Sequence, residues 1–234
     1  MSIAEKLIRQ KQDFDDVYEA GEKAEYDAFW DAYQNYGYRT DYATLFTGTG
    51  WKYGTSYKPK YPLIPTSAQQ MYYGSNLQYE ALKDVDFSNC TEFYQAFSYS
   101  YVAHLGIIDF RKASRVTQAF LSCIKLHTID KLIVSETTPM TTNVFQGCTA
   151  FANLVVEGVF GATLSFVDCT VLSRDSIVSV VNALSTAVSG KTVTFSKTAV
   201  NTAFETSVGA GDGSTSEEWL ALANTKTNWT INLV

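Results

Sequence analysis

Basic charge is scarce in this chain. Lys and Arg number 18 against 24 Asp and Glu, a formal net charge of −6. A general nucleic-acid binder carries a basic patch, so no nucleic-acid partner is expected. Histidine is scarcer, with two residues, His104 and His127. Cysteine occurs four times, at Cys90, Cys123, Cys148 and Cys169, and never as a CxxC pair. Zinc-ribbon and dithiol redox patterns are thereby excluded, and no metal is expected. No apolar run approaches the roughly 18 residues of a membrane span, so no membrane insertion is expected. Charged residues break up MSIAEKLIRQKQDFDD within a few positions, which is no signal peptide. The expectation is a chain made in the cytoplasm, with its cysteines as thiols. No GxSxG, HExxH or EF-hand pattern occurs, and GAGDGS (209–214) lacks the Lys-Ser/Thr of a phosphate-binding loop. These absences point away from an enzyme and from any cofactor.

What is present is unevenly distributed. Residues 1–36 hold nine acidic against four basic side chains, so −5 of the −6 lies there. All fifteen tyrosines fall between Tyr18 and Tyr101, and the C-terminal part is rich in Val, Thr, Ser and Ala instead. Two compositional regimes suggest two packing environments.

Four segments repeat: VDFSNCTEFYQAFSYSYV (85–102), IDFRKASRVTQAFLSCIK (108–125), LIVSETTPMTTNVFQGCTA (132–150) and LVVEGVFGATLSFVDCTV (154–171). Each opens on an apolar–x–apolar triplet: Val85/Phe87, Ile108/Phe110, Leu132/Val134 and Leu154/Val156. Each then carries an aromatic residue, Phe97, Phe120, Phe145 or Phe166. Three positions on comes a small residue, Ser100, Cys123, Cys148 or Cys169. The triplet is the pattern of a short strand with one buried face. A period in the low twenties is that of one strand plus a return segment per coil. Successive strands should pair in parallel and equivalent side chains should stack inside. The cysteine recurs because each coil needs a small, mildly apolar filler beside its phenylalanine. Tyr72 and Ser75 extend the pattern upstream, and TVTFS (192–196) and NWTINLV (228–234) extend it downstream in longer coils. SRDSIVSVVNALS predicts a helix capped by Ser173, with Ile177, Val180, Val181 and Leu184 on one face. TSEEWLALANTK predicts a second helix, capped by Thr215 and Glu218, that presents Trp219, Leu222 and Ala223 to the core.

The pattern over residues 63–234 resembles the BspA-like leucine-rich repeats of bacterial surface proteins. The combination of AGEKAEYDAFWDAYQ (20–34), a solenoid and an end like NWTINLV is also similar to proteins of gut Firmicutes genomes and their prophages. The first resemblance implies a scaffold for contacts with diverse partners, and the second a phage or phage-derived setting.

Ile3, Leu7, Gln10, Phe14, Val17, Gly21, Ala24 and Ala28 follow alternating steps of four and three, a heptad track. Two readings of it stay open: an amphipathic helix lying along its own solenoid, or a parallel coiled coil that makes a dimer or trimer. The expected organisation is therefore a helix over 1–36, a Tyr/Pro/Gly-rich connection over 37–66 and a solenoid over 67–234. The fold class is α/β: a leucine-rich-repeat-like solenoid with short parallel strands, helical C-terminal turns and a long N-terminal helix.

The middle residues of the triplets, Asp86, Asp109, Ile133 and Val155, should form one outward row, the candidate binding face. His104 and His127 are one repeat apart and should be near neighbours, roughly 5 Å from each other if in register. The expected function is a non-enzymatic structural or binding protein of a phage particle, of the tail-fibre or receptor-binding type. Its partner would be a protein or a glycan. The alternative is an adhesin on a bacterial surface.

Overall fold

A computed structural model of the chain describes residues 64–83, 85–205 and 216–234. The heptad positions Ile3, Leu7, Phe14, Val17, Gly21, Ala24 and Ala28, the connecting segment up to 63 and the GAGDGS loop lie outside the described residues.

The elements in chain order are α1 (Tyr79–Leu82), β1 (His104–Asp109), β2 (Thr128–Val134), β3 (Asn153–Gly158), β4 (Leu164–Phe166), α2 (Arg174–Asn182), β5 (Lys191–Phe195), α3 (Lys197–Ala203), α4 (Glu217–Asn224) and β6 (Trp229–Leu233). All strands pair in parallel, as two three-stranded sheets ordered β1-β2-β3 and β4-β5-β6. Parallel neighbours about one coil apart in sequence make this a solenoid.

Rings stack along its axis. Tyr72–Phe97 centroids are 5.3 Å apart, Phe97–Phe120 5.5 Å, Phe120–Phe145 5.3 Å, Phe145–Phe166 4.9 Å and Phe166–Phe195 5.8 Å. Trp219 closes the column edge-on at 6.3 Å from Phe195. The small row beside it is equally buried, and it also hydrogen-bonds. Cys123 Sγ donates to the Phe97 carbonyl at 2.9 Å and Cys148 Sγ to the Phe120 carbonyl at 3.0 Å. Each thiol thus fills a void and ties its coil to the one before.

The strands depart from the sequence alignment in three places. The triplet Val85–Phe87 is irregular and forms no strand. The third strand slips by two residues, so that Val156, not Leu154, pairs with Leu132, which pairs with Ile108. The register also shifts within the pair, at a bulge where Asp130 and Lys131 of β2 together oppose Val155 of β3. The C-terminal strands join a different sheet from the one expected. Phe195 of β5 aligns with Phe166 of β4, so the second sheet grows from the aromatic row of the return segment.

Helix α2 occupies the place of the next strand beside β3. Its N-cap is Ser173, whose hydroxyl accepts from the Ser176 N–H, and Ile177, Val180 and Val181 are buried. Helix α4 is capped by Ser216, one residue after the expected Thr215, and buries Trp219. Gly158, at φ +97°, ends β3 where an added Cβ would lie 2.0 Å from the Val134 carbonyl oxygen. Only glycine lets the two backbones approach so closely.

Candidate functional site

The outer face of the β1-β2-β3 sheet gathers most of the chemistry-bearing side chains. Its exposed apolar members are Ile107 and Val155, at 52% and 54% exposure. Ile133 is half-buried between them and the strand ends. The expected row of Asp86, Asp109, Ile133 and Val155 is not continuous. Asp109 faces Ile133, and Ile133 faces Glu157, so Val155 stands out of line.

Both aspartates have local work. Asp86 Oδ1 accepts from the Ser88 N–H at 2.9 Å, and Asp109 Oδ1 from the Arg111 N–H at 3.0 Å. These are Asx turns at equivalent places in successive coils. Asp109 does not point into solvent as expected. It is only 4% exposed and is clamped by the Arg111 guanidinium, Nε to Oδ1 at 3.0 Å and a terminal nitrogen to Oδ2 at 2.6 Å. The same hydrogen bonds hold Arg111 more firmly protonated than usual. Asp86, Asp109, Ile107, Ile133 and Arg111 nevertheless line one shallow cavity of about 360 Å³. A second ion pair, Lys131 Nζ to Glu157 Oε2 at 2.7 Å, crosses from β2 to β3.

The histidines are separated in role. His104 aligns with Thr128, so His127 falls just before the strand and not opposite His104. His127 Nδ1 instead meets Thr128 Oγ1 at 3.0 Å and Asn153 Nδ2 at 3.3 Å. His104 belongs to a cluster. The Tyr79 ring stacks on it at 3.9 Å, its Nε2 lies 2.6 Å from Asp130 Oδ1, and the Tyr79 hydroxyl donates to Asp130 Oδ2 at 2.9 Å. Nε2 faces the carboxylate, and Nδ1 is the imidazole's second polar atom.

No known protein family, curated protein or solved structure matches the chain. The site therefore speaks only through its geometry. Among the described residues no group of three potential metal ligands gathers, and no helix is long and apolar enough to cross a membrane. The thiols are inside: Cys90, Cys123, Cys148 and Cys169 are all buried. Burial raises the Cys169 thiol far above its ordinary range, and Cys148 is raised by its hydrogen bond with Cys123 and by burial. Neither can serve as a surface nucleophile.

Sequence reasoning missed Tyr79, Asp130 and Glu157, since none occupies a position that recurs in every coil. It also passed over a ladder with a visible signal. Gln70, Gln95 and Gln118 each stand two residues before a column aromatic. Gln70 Nε2 donates to Gln95 Oε1 at 2.8 Å, and Gln95 Nε2 to Gln118 Oε1 at 2.9 Å. All three take left-handed φ of 51°, 53° and 59°. Side-chain amides bonded coil to coil help hold a backbone conformation that otherwise favours glycine.

Proposed function

We propose that this chain is a non-enzymatic structural and binding protein of a phage or phage-derived particle, with a leucine-rich-repeat-like solenoid as recognition body. The observation that carries the binding half is the outer sheet face. There Ile107 and Val155 stand half-exposed on either side of Lys131, with the Asp109–Arg111 and Lys131–Glu157 ion pairs beside them. Exposed apolar side chains interspersed with paired charges suit a protein contact surface. Three parallel strands locked by a stacked core present it without an ordering cost on binding. The phage half rests on the resemblance to prophage-encoded repeat proteins. Residues 1–36 would then act as an oligomerising stem, dimeric or trimeric, and several copies would multiply a weak contact into a firm one.

Mass spectrometry of particles released on induction of the producing strain provides the test. The chain's peptides should co-purify with virions at the level of a structural component. Recovery from the cell envelope alone would overturn the phage assignment in favour of a bacterial surface protein.

A further inference from the structure

We propose that the cleft beside His104 is a subsite for a neutral sugar ring. This subsite extends the sheet-face surface described above and rests on the same binding reading. The cleft holds about 360 Å³ at the start of β1, bounded by Asn76, Leu77, Tyr79, Tyr101 and His104. Its size is at the low end of small-ligand sites, which run from ~300 to 1,000 Å³.

The lining selects the ligand class. Among the described residues no lysine or arginine borders the cleft. The Asp130 carboxylate stands behind His104. An anionic ligand would meet no countercharge and would be repelled. What the cleft offers is aromatic surface next to neutral polar groups. Tyr101 is 41% exposed and provides a ring face for the C–H side of a sugar. The Asn76 amide both donates and accepts, as vicinal hydroxyls do.

His104 supplies the directional contact. Its ring is held from two sides, by the Tyr79 stack at 3.9 Å and by the 2.6 Å bond to Asp130. Such double restraint on a half-exposed histidine fixes the ring plane. Nδ1 is then a preset hydrogen-bonding partner for one hydroxyl, which can both donate and accept. The Tyr79–Asp130 hydrogen bond spans 51 residues and ties α1 to β2. Restraint of this kind lowers the ordering cost of binding.

Saturation-transfer NMR on the full chain tests the proposal. The probes are glucose, galactose, mannose, N-acetylglucosamine and N-acetylgalactosamine at millimolar concentration, with N-acetylneuraminic acid as the acidic comparison. At least one neutral sugar should receive saturation and the acidic one none. His104→Ala and Tyr101→Ala should each weaken that binding by about tenfold, the loss of one good contact. Val171→Ala, on an exposed valine elsewhere on the solenoid, should leave it unchanged. The idea is wrong if no neutral sugar binds, if only the acidic sugar binds, or if affinity survives in both His104→Ala and Tyr101→Ala. A chain that is found in virions but takes up no neutral sugar loses this subsite alone. One that binds sugar but is recovered only from the envelope loses the phage assignment alone.

Discussion

At the scale of single residues, the small row beside the phenylalanine column shows two demands met by one atom. Sulfur must fit a fully buried slot, and its hydrogen must reach a carbonyl of the preceding coil. Serine also fits the slot, since Ser100 occupies it and lies 3.6 Å from Cys123 Sγ. Cys148→Ser should therefore change stability by no more than ~1 kcal/mol in urea unfolding, whereas Cys148→Val overpacks the slot and should cost ~1–3 kcal/mol. The thiols also carry a pH signature. In the unfolded chain they ionise near ~8.5, but the raised folded-state values of Cys148 and Cys169 keep them protonated there. Above that pH the folded state holds more protons than the unfolded, so stability falls as pH rises. All four thiols should resist a thiol reagent at pH 8.5 until the chain is denatured. Rapid labelling of any one in the native protein would contradict this placement.

At the scale of elements, the critical joint is where strand gives way to helix. β3 would be an open edge on the side away from β2. Instead α2 lays two serines along it: the Leu154 N–H donates to Ser176 Oγ at 2.8 Å and the Val156 N–H to Ser179 Oγ at 2.8 Å. Ser176 Oγ in turn donates to the Ala152 carbonyl at 2.9 Å. A helix thus bonds to a strand edge as another strand would, using side chains in place of backbone. Ser176→Ala leaves a buried amide without its acceptor and should cost ~1–3 kcal/mol, with faster hydrogen exchange at Leu154 than at Leu132. Unchanged exchange at Leu154 would show that the serine does not hold the edge. The helix itself was legible in the sequence through its Ser173 cap and the 3–4 spacing of Ile177, Val180 and Val181. Its docking on β3 was not, because serines inside a helix ordinarily read as solvent-facing. The slip in β3 was equally hidden. A slip of two residues keeps every side chain on its own face, so the apolar pattern fits either register and triplets chosen by apolarity align at the wrong pair.

For the whole molecule, one column sets the architecture. Each phenylalanine of the column touches the next coil's ring, and burying one such side chain stabilises by ~1.5–3 kcal/mol, so coils are held mainly by their neighbours. This was readable from Phe97, Phe120, Phe145 and Phe166 because stacking demands the same residue type at the same phase. The change of sheet at Phe166 was not readable, since Val193/Phe195 fits a strand beside β3 as well as one beside β4, and only the α2 insertion decides between them. The proposed binding surface was half legible. Asp86, Asp109 and Ile133 do line one cavity, but the aspartates mainly hold turns, and the His104 cluster depends on contacts between residues far apart in sequence. Everything proposed for this face assumes that the coils stack in register. The most direct test is NOE spectroscopy on the chain with protonated phenylalanine in a deuterated background. Ring-to-ring cross-peaks should link Phe97 to Phe120, Phe120 to Phe145 and Phe145 to Phe166 in series. Their absence, or a cross-peak that skips a coil, would contradict the stacked column and the recognition face built on it.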